Sequence, residues 1–350
     1  MNRKKESGAA LIITVMIIAA MTYLITEMTF RSRVYLTLSS NFIYKTKSFY
    51  IARSGIEAAK LLLKYDKEQD KENKKYIDYY AVSEDIMSGE SSSEVWSLFS
   101  QQQMPVQLRD YGSVALKITD EQSKLNINGI DRGQSSEKGL KDPELNRYYK
   151  YFIKLGVPED RAEIMVYSLI DWIDTNDNEL MGGAESGYYQ SLFPPYMARN
   201  NLLASTRELL MVKGFSVDDF QKILPYITVF PKKKNKNYYI NINTAPPEVI
   251  MFLDEQIDID IANEIVSARD EEPFRTLSDF KKVLLDVGLE KKKVVDIITY
   301  SSKFNVRVSL NSDTFNIKST GYIGDFNETI DTVIKRLPNG KFDTYYFKSY

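Results

Sequence analysis

Near the start of the chain, an apolar stretch follows a short basic segment. Positions 3–5 are Arg-Lys-Lys, and residues 9–25 are apolar apart from Thr14 and Thr22. A membrane-spanning helix needs roughly 17–25 apolar residues, so this run is just long enough to cross a bilayer. By the positive-inside rule the basic segment stays in the cytoplasm, and we expect the rest of the chain outside it.

Three interpretations of this segment are open. A cleaved secretory signal would need a small-x-small site after the apolar run, and residues 21–30 offer no good site. A plain membrane anchor explains the run and nothing more. The segment also resembles a class III (prepilin) signal, in which a basic leader ends in Gly and is cut before the apolar helix. Gly8 directly precedes Ala9, and the resemblance implies cleavage between them.

A second apolar pattern continues beyond the membrane run. Its members lie three or four residues apart, apart from one interruption at Lys45: Leu38, Phe42, Phe49, Ala52, Ile56, Ala59 and Leu63. This spacing predicts one amphipathic helix over about residues 9–63, half in lipid and half packed on a soluble domain. Residues 50–63 resemble the pilin pattern of an aromatic, small residues, Gly-Ile-Glu and Ala. An ordinary core-facing helix would show the same stripe.

The fifth residue after the predicted cleavage is Ile13. Most pilins carry Glu at this place, and it is thought to neutralise the new amino terminus of a neighbouring subunit. The K-type minor pseudopilins of type II secretion characteristically lack that Glu, which fits a subunit at the filament tip. The departure therefore favours this subfamily.

In the rest of the chain, the spacing of apolar residues changes twice, from alternation to helical spacing and back. Residues 111–119 alternate and predict a strand, whereas about 143–301 predict a series of short helices. Alternation returns near the end, over 304–310, 314–321, 328–336 and 343–348. This order predicts an α+β fold: a long N-terminal helix and a pilin-like β-sheet with a large inserted helical domain, similar to SAM or helix-hairpin-helix domains. The predicted boundaries are 1–8, 9–30, 31–135, 136–300 and 301–350, for leader, membrane helix, first pilin-like part, helical domain and last strands.

Composition narrows the possible chemistry. The formal net charge of −2 argues against general nucleic-acid binding, which needs a basic excess. The chain has no Cys and no His, so disulfides, thiol nucleophiles, Ser-His pairs and most zinc sites are excluded. We therefore expect a protein that is not an enzyme.

Oxygen ligands crowd into residues 171–185, DWIDTNDNELMGGAE. With Asp174 first, Asn176, Asn178 and Glu185 take positions three, five and twelve of an EF-hand loop, but the sixth is Glu179 instead of Gly, and no exiting helix is evident. The spacing favours Ca²⁺ over a solvated acidic turn or a carboxylate-pair hydrolase. The predicted metal residues are Asp171, Asp174, Asn176, Asp177, Asn178, Glu179 and Glu185.

The same loop and its continuation, PPYMARNNLLASTRELLMVKGF, resemble the K-type signature. That signature combines Asp-Trp-x-Asp, an acidic loop, Gly-Gly-Ala-Glu, two aromatics, Pro-Pro-Tyr, an Asn and Ser-x-x-Glu-Leu. Family members bind calcium here, which implies five carboxylate ligands and a weaker one at Asn200. The five are Asp171, Asp174, Asp177, Glu179 and Glu185.

Residues 242–280 resemble the helix-hairpin-helix module of DNA-binding proteins. A membrane-anchored DNA receptor of a competence or type IV pilus system is therefore the alternative. The DNA-binding turn uses Gly-x-Gly so that backbone N–H groups reach a phosphate. Asp258 and Asp260 stand there instead and would repel phosphate. The basic stretch 231–237 is interpreted as a solvated loop, so no nucleic-acid partner is expected.

The resemblance covers nearly the whole chain and implies a tip subunit. Its implied partners are the I- and J-type minor pseudopilins, prepilin peptidase and the major pseudopilin filament, with N-methylation at Ala9. The implied function is to initiate and cap a filament that exports folded proteins across the outer membrane. The implied location is the bacterial inner membrane, crossed once, with the C-terminal domain in the periplasm.

Overall fold

A single long helix opens the structure. The computed structural model describes residues 3–73, 104–131, 138–232, 237–299 and 304–350. Helix α1 spans Arg3–Asn73, longer at both ends than predicted, because the polar segment after residue 63 is rich in Lys and Glu, which favour helix. The sequence favours a polar, partly looped segment over residues 64–103; its first part, to residue 73, is helical, and residues 74–103 lie outside the described residues.

The remaining elements fall into two groups, helical in the middle of the chain and extended on either side. The helices are α2 (Pro143–Lys154), α3 (Glu159–Ile173), α4 (Ser186–Gln190), α5 (Val217–Ile223), α6 (Pro247–Ile250), α7 (Ile259–Glu271), α8 (Leu277–Asp286) and α9 (Lys291–Ile298). The strands are β1 (Met104–Gln107), β2 (Ser113–Asp120), β3 (Leu125–Asn126), β4 (Ile227–Thr228), β5 (Tyr238–Asn241), β6 (Val306–Ser309), β7 (Thr314–Ile323), β8 (Phe326–Arg336) and β9 (Phe342–Ser349). The α+β fold with an inserted helical domain is thus confirmed.

The second half of α1 packs on a five-stranded antiparallel sheet in the order β1-β2-β7-β8-β9. Ala52, Ile56, Ala59 and Leu63 form one core with inward-facing residues of the sheet. These four are the last members of the predicted stripe, so its C-terminal part is the face that the soluble domain buries.

The first half of α1 has no such cover. The segment 10–65 contains an apolar window with a mean hydropathy of 2.0, and 0 % of that window is buried. By length and composition this part of the helix can cross a membrane. The N-terminal helix therefore fits a membrane anchor.

The helical domain is inserted between β2 and β7 and has its own core. Its centre is aromatic: the Phe252 ring meets Tyr148 and Tyr151 edge-on, at centroid distances of 4.9 and 5.5 Å. This domain also includes strand pairs that periodicity did not assign to it. β3 pairs in parallel with β4, and β6 pairs in parallel with β5. Residues 125–130 and 306–309 therefore pack with the helical domain, although the sequence placed them with the pilin-like parts.

Both connections to the helical domain meet at one buried carboxylate. Asp120, at the end of β2, accepts hydrogen bonds from the hydroxyls of Ser312 (2.6 Å) and Thr244 (2.5 Å) and from the backbone N–H of Gln122 (2.7 Å). Burial raises its pKa to about 6, although these hydrogen bonds act in the opposite direction. The carboxylate fixes the entering and leaving chains to each other.

A buried guanidinium places this junction relative to α1. Arg336 donates to the carbonyl oxygens of Leu63 (2.6 Å) and Ser312 (3.0 Å). Leu63 lies far along α1 from the apolar anchor, and Ser312 lies where the chain leaves the helical domain. The helical domain is therefore attached at the end of the sheet that is remote from the anchor.

Candidate metal site

The candidate site is built on the C-terminal end of α3. Asp171 lies in the last turn of this helix and is buried. Its Oδ2 accepts hydrogen bonds from the backbone N–H groups of Ala184 (2.8 Å) and Leu180 (3.2 Å), which draw the following loop back over the helix end. The carboxylate thus sets the path of the acidic loop.

Gly183 makes this path possible. A Cβ atom at this position would lie 2.9 Å from Cγ of Asp171 and closer still to Oδ2. Any other residue would push the loop off the carboxylate. The Gly-Gly-Ala-Glu part of the signature therefore has a steric cause: the loop backbone must touch Asp171 before it reaches Glu185.

Three carboxylates meet at the base of the loop. Asp171, Asp174 and Glu185 each offer an oxygen, and the three oxygens lie within 4.8 Å of one another. Asp171 and Glu185 are buried, and Asp174 is half-buried. One cation in contact with all three is geometrically possible.

Three carboxylates in one partly buried place are electrostatically unfavourable in their charged form. Burial, followed by mutual repulsion, raises the pKa of Glu185 to about 8. Burial is also the main cause that raises the pKa of Asp171 to about 7 and that of Asp174 to about 6. All three groups would lose this penalty if a cation lay between them.

Buried side-chain oxygens without good hydrogen bonds also favour a cation site. Neither carboxylate oxygen of buried Glu185 accepts a hydrogen bond of good geometry among the described residues, although the backbone N–H of Ser186 lies near enough to lower its pKa. The side-chain Oδ1 of Asn200 is likewise buried without one in that part of the chain, and its backbone N–H donates to Trp172 at 3.0 Å. Buried oxygens are normally satisfied, and a metal ion satisfies them as well as a donor does.

The other four predicted residues are outside this three-carboxylate group, although Asp177 raises the pKa of Asp174 and Glu185, and Glu179 raises that of Asp171. Asn176, Asp177, Asn178 and Glu179 are exposed. The backbone N–H of Asn176 donates to Asp174 (3.2 Å) and that of Asn178 to Asn176 (2.7 Å), so these side chains shape local turns. The structure brings together three of the seven predicted residues.

The loop also ends differently from the expectation. Helix α4, Ser186–Gln190, begins directly after Glu185, so an exiting helix exists although none was predicted. Five residues are too few for a helical period to be visible in the sequence. With α3 in front, the loop has the helix–loop–helix order of an EF-hand in a shortened form.

The donor set fits a hard cation. Carboxylate and amide oxygens suit Ca²⁺, which accepts 6–8 oxygen ligands, whereas zinc sites favour the Cys and His that this chain lacks. Three carboxylates would leave several positions for water or backbone oxygen. The residues present are therefore compatible with a calcium ion.

Fold and site together define a class: a membrane-anchored pilin-like subunit with a large helical insertion and an acidic loop. The family model described as "Type II secretion system (T2SS), protein K" matches in two parts, residues 123–232 and 240–296. The chain belongs to the type II secretion system protein K family, and it is a minor pseudopilin of that system.

Similar proteins extend the match to almost the full length. Type II secretion system protein K of Pseudomonas aeruginosa is 25 % identical over 97 % of this chain and 91 % of its own length. The Aeromonas hydrophila protein is 23 % identical over 97 % and 95 %. A solved chain from the GspK-GspI-GspJ complex of enterotoxigenic Escherichia coli has the same fold, with a TM-score of 0.66, 18 % identity, and coverage of 91 % of this chain and 99 % of that one.

The DNA-receptor alternative finds no support in these relatives. The structure adds a local reason, because Asp258 is the N-cap of α7 and accepts a hydrogen bond from the backbone N–H of Ile261 at 2.9 Å. Its carboxylate therefore occupies the helix end that would face a phosphate. The family is one of secretion pseudopilins and is not known for catalysis.

Proposed function

We propose that this chain occupies the tip of a type II secretion pseudopilus, where it initiates and caps the filament that exports folded proteins. The supporting observation is the pair of hydrogen bonds that Arg336 makes to Leu63 and Ser312. They put the helical domain at the end of the pilin-like sheet remote from the anchor. A subunit stacked further from the membrane would have to occupy that place, so the domain terminates the filament.

The exposed half of α1 supports assembly with other subunits. Large apolar side chains in this half are uncovered, among them Leu36 (68 % exposed) and Phe42 (72 % exposed). Both follow the 9–25 run, so lipid alone does not account for them, and packing against other long helices would. The proposed partners are the I- and J-type minor pseudopilins, and the similar solved chain comes from a GspK-GspI-GspJ complex.

Maturation is proposed to precede assembly. Prepilin peptidase would cut between Gly8 and Ala9 and methylate the new amino terminus, and the chain would then join the major pseudopilin filament. Helix α1 begins before this bond, so the leader and the anchor are continuous before cleavage. The soluble domain would lie in the periplasm, with α1 crossing the inner membrane once. The proposed role is mechanical and needs no catalytic group.

A structural Ca²⁺ ion at Asp171, Asp174 and Glu185 is part of this proposal. The raised carboxylate pKa values and the poorly hydrogen-bonded oxygens of Glu185 support it. When bound, the ion would supply positive charge that offsets their repulsion and would fix the loop between α3 and α4. Asp171 would hold the loop backbone through Leu180 and Ala184, and Asp174 and Glu185 would offer their carboxylates to the ion.

Site-directed cross-linking tests the assembly directly, because the chain has no Cys and each introduced Cys is unique. Leu36→Cys lies on the uncovered face of α1, and a photoreactive cross-linker attached to its thiol should join it to another small pseudopilin in membranes. Val217→Cys, 58 % exposed in the helical domain, is the matched control and should give no such adduct. If both variants gave the same adducts, or neither gave any, the helix-packing proposal would fail.

A further inference from the structure

A small cavity opens on the helical domain, away from the acidic loop. It lies between α2, the hairpin that joins α6 to α7, and α9, and its volume is about 110 Å³. Its lining includes Asn146, Arg147 and Lys150 on one side and Phe252, Lys293 and Phe304 around them. A space of this size holds several water molecules or one side chain.

Arg147 is the unusual member of this lining. Its side chain is only 10 % exposed, and its guanidinium stacks on the Phe304 ring at 3.4 Å and lies 5.7 Å from the Phe252 ring. Its nearest carboxylate is Glu144 at 3.8 Å, which is too far for a hydrogen bond. Among the described residues, no acceptor takes a hydrogen bond from this guanidinium. Its nitrogens are not among the fully buried atoms that lack a partner, so they reach the open cavity, where a ligand can supply an acceptor.

The lining of the cavity carries more cations than carboxylates: Arg147, Lys150, Lys154 and Lys293 against Asp254 and Glu255. Lys293 pairs with Asp254 (3.5 Å) and Glu255 (3.1 Å), the two carboxylates of the lining. Lys154 donates to three carbonyl oxygens of the α6–α7 hairpin, from Met251, Asp254 and Ile257, at 3.0, 2.7 and 2.7 Å. Lys293 thus engages both carboxylates of the lining. Arg147, whose ion pair with Glu144 is long at 3.8 Å, and Lys150 are the lining cations that can meet an anion.

The ring contacts also define the shape of what can bind. Phe304 covers a face of the guanidinium, so the edge with its N–H groups is left for recognition. That edge matches the two oxygens of a carboxylate in a bidentate pair. Lys150 lies about one turn after Arg147 on α2, and Asn146 directly precedes it. The cavity lining therefore also contains an ammonium group and an amide group close to the guanidinium.

We propose that this cavity is a carboxylate-binding pocket, with Arg147 as its anchor and Lys150 and Asn146 as secondary donors. The carboxylate would come from a polypeptide, as an acidic side chain or a chain end, or from a small free acid. Neither the acidic loop nor the tip position is needed for this inference.

Binding can be measured on the full-length protein in neutral detergent by titration calorimetry and thermal unfolding. Sodium acetate should bind and raise the melting temperature, whereas sodium chloride at equal ionic strength should do neither. Arg147→Gln should weaken acetate binding at least tenfold. Arg275→Gln is the matched control, because Arg275 is 59 % exposed and pairs with Glu272 at 3.5 Å in the same domain. It should bind acetate as the unchanged protein does.

Two further comparisons complete the test. Lys150→Gln leaves the aromatic stack intact and should weaken binding several-fold, which covers the case that Arg147→Gln does not fold. A short peptide with a free C-terminal carboxylate is compared with the same peptide amidated. Tighter binding of the free-acid peptide than of acetate assigns the pocket to polypeptides, and equal binding assigns it to small acids. Equal effects of chloride and acetate, or undiminished binding by folded Arg147→Gln, would overturn the proposal.

Discussion

Gly321 of β7 lies so close to α1 that a Cβ atom on it would be 2.6 Å from the backbone nitrogen of Ala52. The two residues mark a close approach between the anchor helix and the sheet. The helix atoms that the Cβ would meet, the nitrogen of Ala52 and the carbonyl oxygen of Ser48, belong to the backbone, so they cannot turn aside. The helix and the sheet can pack at this distance only because position 321 has no side chain.

Gly321→Ala should therefore destabilise the soluble domain by roughly 1–3 kcal/mol, the usual cost of overpacking. Denaturant unfolding of the full chain in detergent measures this. Gly187→Ala is the control, since a Cβ atom at Gly187 meets nothing within 4 Å, and it should change stability little. Equal stability of the two variants would mean that α1 does not pack on β7 as described.

Calcium should increase the free energy of unfolding by about 2.7 kcal/mol at a hundredfold excess over Kd. The melting temperature should rise accordingly. Asp174→Asn and Glu185→Gln should each abolish most of this gain because each removes a charged ligand. Asp218→Asn, exposed in the first turn of α5, should retain it.

The same Glu185→Gln variant makes a second distinction. In a chelator its stability should equal or exceed that of the unchanged protein, because burial and repulsion penalise the carboxylate there. A loss of stability under these conditions would instead indicate a purely structural role for Glu185. A calcium effect retained in both ligand variants would rule out this site.

Asp120 should make stability depend on pH. Its pKa is raised by burial from 3.8 to about 6, so between these values the native state holds a proton that the unfolded state has lost. Stability should fall as pH rises from about 4 to about 6, and then level off. Relative to Asp120→Asn, the fall should be at most roughly 3 kcal/mol. Denaturant unfolding in chelator at several pH values gives this difference, and parallel curves for the two proteins would contradict it.

Processing should remove the leader at a defined bond. Intact-mass measurement of the protein from membranes should give a chain that begins at Ala9 and carries one added methyl group. Replacing Gly8 with a bulky residue should leave the leader attached, because a side chain would obstruct backbone entry into the peptidase. A chain from wild-type cells that retains its first eight residues would contradict the prepilin interpretation.

Local patterns predicted most of the fold. The stripe that ends at Leu63 identified the buried face of α1, and the helices near 217–223, 277–286 and 291–298 follow their apolar periods. β6 shows the limit of this approach. Its alternation predicted a strand, but pairing with β5 depends on a partner about 70 residues away, which periodicity alone does not specify.

The candidate site shows a similar limit. The density of acidic residues located the loop, and EF-hand spacing selected Asp174 and Glu185. It did not separate them from exposed Asp177 and Glu179, because the loop path is set by the contact between Gly183 and Asp171. The proposed carboxylate-binding pocket at Arg147 has no recognisable pattern in the sequence. Its residues come from α2, the α6–α7 hairpin and Phe304, which are far apart in the chain.

A subunit that caps the filament must lie at its end, and this position can be observed directly. Pseudopili assembled with a chain tagged after Tyr350 can be sheared, gold-labelled and viewed by electron microscopy. A capping subunit should give label at one end of each filament, and none along the shaft. Label distributed along the shaft would show that further subunits stack beyond the helical domain, so that this chain does not cap the filament.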